Sequence, residues 1–194
     1  MTDDRVRRAV ALALGVAAVA LLVATSGDLG YARDEGFYFH AARRYADWFE
    51  LLAEDRGAAI RRAAVDAHFV VNHEHPALMK SLFGLSNRVL QEKYGLFDEP
   101  GTSFRFPAMA LAGVMVAVVF SWAARRRGLA AGFIAAGSLL FMPRVFYHAH
   151  LACFDVPITA LFVATFYAYD RTLRSSGPLW PVATAILFGL ALDT

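Results

Sequence analysis

Three acidic residues stand close to the ends of long apolar segments. A carboxylate in such a place is energetically unfavourable, so it is usually paired with a cation or has a function. Asp34 and Glu35 follow the first apolar run after a short polar stretch, and Asp155 stands near the start of another. A carboxylate in such a place can act as a general base toward a hydroxyl or amine. It can also cap a helix, because the helix macrodipole favours negative charge at the N-terminus. Both interpretations stay open for Asp34 and Asp155.

A short histidine-rich segment offers ligands for a metal ion. His73, Glu74 and His75 occupy three consecutive positions and are followed by Pro76. Alternate residues of an extended segment point to the same side, and imidazole and carboxylate groups suit several divalent metals. The segment therefore predicts a divalent-metal site, with a chance cluster in a polar loop as the alternative.

Cations also flank the apolar segments. Lys80, Arg105 and Arg144 lie near predicted span ends on the same side as the carboxylates. Long basic side chains at such positions commonly extend to lipid headgroups. A phosphate on a membrane-embedded carrier presents the same charge at the same depth, so these residues are equally candidates for binding a lipid-linked phosphate.

The elements that must position these groups are apolar helices. Hydrophobic residues make up 58% of the chain and charged residues 19%. Residues 9–27 and 106–124 are two runs of 19 residues without a charge. At 1.5 Å per residue, each is long enough for a hydrocarbon core of about 30 Å. Because neither run shows the polar stripe of a helix in a soluble domain, the sequence predicts an all-α membrane protein.

The first run could instead be a cleavable signal peptide, since three arginines precede it and Ala24-Thr25-Ser26 is a weak cleavage site. It is longer than an ordinary signal-peptide core of about 7–15 residues, which favours a retained span. The apolar pattern predicts five spans in a helical bundle, at about residues 9–27, 106–124, 128–143, 151–169 and 179–194. The fifth has no closing loop, so we expect the N-terminal part of a longer protein.

Arginine clusters predict the topology. They precede the first span, follow the second and follow the fourth, which places these three ends in the cytoplasm by the positive-inside rule. The long loop 28–105 then lies outside. Within it, residues 37–52 form a two-faced pattern, which predicts an amphipathic helix lying in the membrane interface with its aromatic face in lipid. That face carries Tyr45, Trp48 and Phe49.

Two further helices are expected in the outer loop, at 58–69 and 77–92, and Gly95 and Pro100-Gly101 should break the chain before the second span. A net charge of +2 gives no reason to expect a nucleic-acid partner, and the single Cys153 excludes an intrachain disulfide.

Four features in this order resemble the GT-C superfamily of glycosyltransferases. The similarity is to the branch of dolichyl-phosphate-mannose–protein mannosyltransferases and bacterial lipid A aminoarabinose transferases, and it extends over nearly the whole chain. The first feature is Arg33-Asp34-Glu35-Gly36 after a span, with Tyr38 and Ala42-Arg43 further on. The others are His75-Pro76-Ala77-Leu78-Met79-Lys80, Phe104-Arg105-Phe106-Pro107 at the entry to the second span, and Asp155 at the start of the fourth.

The resemblance implies roles for these residues. Asp34 and Asp155 would be catalytic, and Glu35 would position the acceptor. His75, Lys80 and Arg105 would contact the donor phosphate. The family has a second proline where this chain has Ala77, which loosens that segment and weakens the assignment of His75 and Lys80.

The implied reaction moves a sugar from a polyprenyl-phosphate carrier to a protein, lipid or glycan acceptor outside a bacterial plasma membrane, with a divalent metal as an optional cofactor. Two alternatives remain. A transporter would show polar or broken spans meeting at the midplane, whereas the first two spans here are uninterrupted. A non-catalytic membrane assembly protein would also fit the composition.

Overall fold

The computed structural model describes residues 2–194, with side chains from residue 4 onward, and this part of the chain is helical without strands. The ten α-helices are α1 (Thr2–Ala24), α2 (Arg33–Glu54), α3 (Arg56–Ala59), α4 (Arg62–Phe69), α5 (Ala77–Ser86), α6 (Pro100–Arg127), α7 (Leu129–Leu140), α8 (Pro143–Ala149), α9 (Asp155–Thr172) and α10 (Leu179–Leu192). A 3₁₀ turn (Ser26–Asp28) follows α1, and a π-helical segment (Asn87–Lys93) continues α5. The prediction of an all-α membrane protein is confirmed.

Within the described part of the chain, two helical segments are long and apolar enough to cross a membrane, Asp4–Asp28 and Pro100–Arg127. A third crossing is possible by length if α7 and α8, which meet at a bend of 67°, count as one broken span. The shorter α9 and α10 do not reach the same standard, so five spans stay a prediction. The second span begins earlier than expected, because Pro100 and Gly101 form the first turn of α6 and do not break the chain.

Small residues bring α1 and α6 together. A Cβ atom placed on Gly113 would lie 2.5 Å from the Val19 Cγ2 atom and 2.7 Å from the Gly15 carbonyl oxygen. Such close backbone approach is the usual way in which helices associate in a membrane, where burial of apolar surface gives little gain. On the other side of α6, a core cluster that includes Met109, Met115 and Ala160 joins it to α9.

Ion pairs collect at one end of this bundle. Arg125 near the end of α6 contacts the Asp4 carboxylate in α1 at 2.9 Å. Arg126 pairs with Asp170 near the end of α9. The three arginine-rich ends that the topology assigns to one side of the membrane therefore lie together, and the candidate functional residues lie at the opposite ends of the same helices.

The loop 28–105 contains helices at the predicted places, although the one predicted at 58–69 is divided into α3 and α4. Part of the aromatic face of α2 is covered by protein. Tyr45 is only 1% exposed, and its hydroxyl donates to the Phe69 and Val71 carbonyls. The Trp48 Nε1 donates to the Ala59 carbonyl at 3.0 Å. The prediction that this face lies in lipid is wrong at Tyr45, whereas Trp48 and Phe49 are half-buried and the prediction is not tested there. Periodicity identifies a face that must be buried but not what buries it.

Candidate functional site

The first turn of α2 presents two adjacent carboxylates to opposite environments. The Glu35 side chain turns back and accepts a hydrogen bond from the Ala32 amide at 2.8 Å, which caps the helix. It is fully buried, whereas the neighbouring Asp34 is exposed. Successive helical residues lie about 100° apart around the axis, so one residue of the pair faces the bundle and the other faces outward.

Glu35 forms a buried, two-point ion pair with Arg105 of α6. Both Arg105–Glu35 hydrogen bonds, from Nε and from Nη2, measure 2.8 Å, and the two side chains are 2% and 0% exposed. Glu35 Oε1 also accepts the Ala152 amide at 2.9 Å. The remaining Arg105 N–H groups donate to carbonyls between α1 and α2, including Gly30 at 2.8 Å. A buried charge is tolerated only when it is paired and hydrogen-bonded in this way.

This pair therefore connects the end of α1, the start of α2, the start of α6 and the segment before α9. The sequence predicted Glu35 as an acceptor contact and Arg105 as a phosphate contact. In the structure each is saturated by the other and by the backbone, so the placement favours a positioning role over contact with a substrate.

Asp155 is the first residue of α9 and its side chain is 71% exposed. The His148 Nδ1 atom lies 3.7 Å from the Asp155 Oδ2 atom. His148 was not among the predicted site residues. The sequence points to His148 only through its closeness to Asp155 along the chain.

An aromatic cluster joins three distant segments beside these carboxylates. The Tyr38 and Phe154 ring centroids are 4.7 Å apart, and the His75 ring lies 4.9 Å from that of Phe154 and 5.9 Å from that of Tyr38. Asp34 is one helical turn before Tyr38, and Asp155 directly follows Phe154. The cluster therefore holds the starts of α2 and α9 and the 73–76 segment at one place.

Burial raises the pKa of the Tyr38 phenol, and nearby negative charges raise it further. The carboxylates among these groups are Asp34, Asp155 and Glu74; the Cys153 sulfur contributes only when ionised, and burial raises the pKa of that thiol to about 12. Carboxylates from three segments thus lie within electrostatic range of one hydroxyl group. The result is an open, acidic site with an aromatic wall and three exposed carboxylates, of which that of Glu74 is held by the Asn72 amide.

The predicted metal ligands do not fit a metal ion as arranged. The Asn72 amide donates to the Glu74 carboxylate at 2.8 Å, the His73 Nδ1 lies 3.1 Å from the Val70 carbonyl, and His75 packs on the aromatic cluster. Across residues 4–194, no group of three or more His, Cys, Asp or Glu side chains lies close enough together to hold a metal. A divalent metal stays a prediction from the sequence, without a site in this arrangement.

Lys80 is fully buried and fastens the segment that carries His75. Its Nζ donates to the Asn72 carbonyl and, at 2.8 Å, to the His75 carbonyl, and it lies 4.9 Å from the Tyr45 ring centroid. Burial lowers the pKa of Lys80 to about 8, although the Glu74 charge opposes this. In this arrangement the Lys80 ammonium group is engaged by the 72–75 turn, and its contact with a donor phosphate stays a prediction from the sequence.

Residues 89–194 match the family model of dolichyl-phosphate-mannose-protein mannosyltransferase. Because that match covers more than half of it, the chain belongs to this family and is a membrane glycosyltransferase of the GT-C type. The matched range includes Arg105 and Asp155 and begins after Asp34. No curated protein and no solved structure matches the chain.

Proposed function

We propose that this protein transfers a sugar from a polyprenyl-phosphate carrier to an acceptor on the outer face of the membrane, with Asp34 as the general base. The observation that carries the proposal is the contact between the Tyr38 and Phe154 rings, whose centroids are 4.7 Å apart. It brings together two exposed carboxylates 121 positions apart, because Asp34 is one helical turn before Tyr38 and Asp155 directly follows Phe154. Family membership supports sugar transfer as the chemistry.

The reaction is a direct displacement at the anomeric carbon. The acceptor hydroxyl or amine attacks that carbon while its proton passes to the Asp34 carboxylate. The bond between the anomeric carbon and the phosphate oxygen breaks, and its electron pair leaves with the polyprenyl phosphate. Asp34 can serve as the base because its carboxylate is exposed in the first turn of α2, where an acceptor can reach it.

His75 and Asp155 have supporting parts in this proposal. His75 is a neutral or charged N–H donor on the aromatic wall, suited to the leaving phosphate. Asp155 binds the acceptor on the opposite side of the site and is the second candidate for the base. Glu35 and Arg105 position both carboxylates, since their contacts run to Ala32 before Asp34 and to Ala152 before Asp155.

The outer location rests on the helix ends. The carboxylates lie at the ends of α1, α6 and α9 that are opposite to the Arg125–Asp4 and Arg126–Asp170 pairs. Arginine-rich ends face the cytoplasm in most bacterial membrane proteins. The site then opens on the outside, where polyprenyl-linked sugars are consumed and nucleotide sugars are scarce.

The test is donor selectivity. The full-length protein, purified in detergent, should release radiolabelled sugar from a polyprenyl-phosphate sugar and none from the matching nucleotide sugar. Vesicles that contain the protein and are loaded with the same free sugar should retain that sugar, whereas a transporter would let it out. Release from the nucleotide sugar alone, or transport without release, would contradict the proposed function.

A further inference from the structure

A second cavity lies on the other side of α2 from the carboxylates. It has a volume of about 370 Å³ and lies between α2 and the first turn of α6. At about 100° per residue, Gly36 and Arg43 are roughly 160° and 180° around the helix from Asp34. These two lining residues therefore face away from Asp34, although the lining residue Arg33 is only about 100° from it. Its principal lining residues are Tyr31, Arg33, Gly36, Phe39, Arg43 and Phe104.

The charge in this cavity is positive and unneutralised. Over the part of the chain with described side chains, neither Arg33 nor Arg43 forms an ion pair. The guanidinium of Arg43 is stacked 5.2 Å from the Phe104 ring centroid, which holds it at the cavity wall. Gly101, in the first turn of the 28-residue helix α6, lies at the same wall. Unsatisfied N–H groups at a helix N-terminus add positive potential to the two cations.

The floor of the cavity is aromatic and its position matches a lipid headgroup. Phe39 and Phe104 stack with centroids 4.5 Å apart, and Tyr31 packs edge-on against Phe39 at 5.8 Å. Tyr31 is also 59% exposed, as is usual for tyrosine at a membrane–water interface. The cavity stands where the first span ends and the second begins. Glu99, which directly precedes α6, lines two neighbouring cavities and not this one.

We propose that this cavity binds the phosphate of an anionic phospholipid from the surrounding leaflet, held between Arg33 and Arg43 with its glycerol end over the aromatic floor. The proposal does not depend on the sugar-transfer chemistry. Gly36 makes it testable, because a Cβ built there meets no atom within 4 Å. A leucine at this position can therefore enter the cavity without a backbone clash.

The experiment measures lipid binding to the full-length protein in mixed micelles by native mass spectrometry. Phosphatidylglycerol should bind about tenfold more tightly than phosphatidylcholine, the amount expected for one charge-assisted contact. Arg43→Gln and Gly36→Leu should each remove about tenfold of that binding, and Arg43→Lys should retain most of it. Arg61→Gln removes an equally exposed arginine outside the cavity and should leave binding within about twofold.

Equal binding of the two phospholipids would overturn the proposal, and so would a loss in Arg61→Gln as large as in Arg43→Gln, since net charge alone would then explain it. Polyprenyl phosphate provides the third arm. If it displaces phosphatidylglycerol from the wild type with higher affinity, and Gly36→Leu abolishes its binding, the cavity belongs to the sugar carrier and not to a phospholipid. Sugar release assayed on the same samples reports separately on the proposed function.

Discussion

The buried Glu35–Arg105 pair should contribute more to stability than any other polar contact at the site. In Glu35→Gln, one carboxylate oxygen becomes an amide NH₂ group. Each Glu35 oxygen now accepts from one Arg105 nitrogen and one backbone amide, at Ala32 or Ala152. The substitution therefore points the new NH₂ group at two N–H donors, one from Arg105 and one from the backbone. It also leaves Arg105 as a buried, uncompensated charge.

Breaking a buried ion pair by removing one partner costs about 3–5 kcal/mol. For a chain of this length that is a fall in the thermal midpoint of roughly 10 °C. Arg105→Met should cost a similar amount, because it leaves Glu35 unpaired and removes a donor from the Gly30 carbonyl. A double variant carrying both changes should lose clearly less than the sum of the two, since its second substitution removes a charge that the first had left unpaired.

The assay is thermal unfolding of the purified full-length protein in detergent, followed by circular dichroism, with Asp34→Asn as the control. That neighbouring acid is exposed and should change stability by no more than about 0.5 kcal/mol. If Glu35→Gln and Arg105→Met keep the wild-type midpoint and lose only sugar transfer, the positioning role is refuted. The acceptor and phosphate contacts predicted from the sequence would then be correct.

Three further predictions concern the fold and its orientation. Because folding lowers the pKa of Lys80 to about 8 from an ordinary 10.5, the unfolded chain binds more protons between those values, so stability should rise as the pH goes from about 7.5 to 9.5. Lys80→Met should abolish this rise, which is on the order of 2 kcal/mol over that range. An identical rise in the variant would assign it to another group. Gly84→Ala should lower the free energy of unfolding by about 1–3 kcal/mol, since its Cβ would lie 2.0 Å from the Ala42 carbonyl oxygen. Gly137→Ala, which faces open space, should be neutral or stabilising. Equal thermal midpoints for the two variants would contradict the packing of α2 on α5. On a Cys153→Ser background, a cysteine at Ala58 should react with an impermeant maleimide from outside the cell, and labelling from the cytoplasmic side alone would reverse the topology.

Features fixed by the spacing of apolar residues could be predicted from the sequence. Helix rise sets the depth of a residue that follows or opens a span, and this is why Asp34 and Asp155 were expected on the same side. The start of α6 was misplaced by six residues because Pro100 and Gly101 are turn-formers that also suit a first helical turn.

Features that depend on tertiary packing could not be predicted. Nothing local distinguishes Asp34 from Glu35, and Glu35 is buried only because Arg105, seventy positions away, lies against the start of α2. The burial of Lys80 likewise follows from the turn at Asn72, whose positive φ of 55° aims its carbonyl at the ammonium group. A sequence pattern shows that a cation lies near a membrane edge, but not whether it faces lipid, phosphate or its own backbone.

The most direct test of the central claim is the turnover of Asp34→Asn in the full-length protein with a polyprenyl-phosphate sugar as donor. Asparagine preserves size and hydrogen bonding but cannot take the proton of the acceptor, so kcat should fall by about 10²–10⁴-fold while carrier binding is retained. Glu54→Gln, which removes an exposed acid from the far end of the same helix, is the matched control and should keep wild-type turnover. If Asp34→Asn transfers sugar within a few-fold of wild type while Asp155→Asn does not, the base is Asp155 and the assignment of Asp34 is wrong.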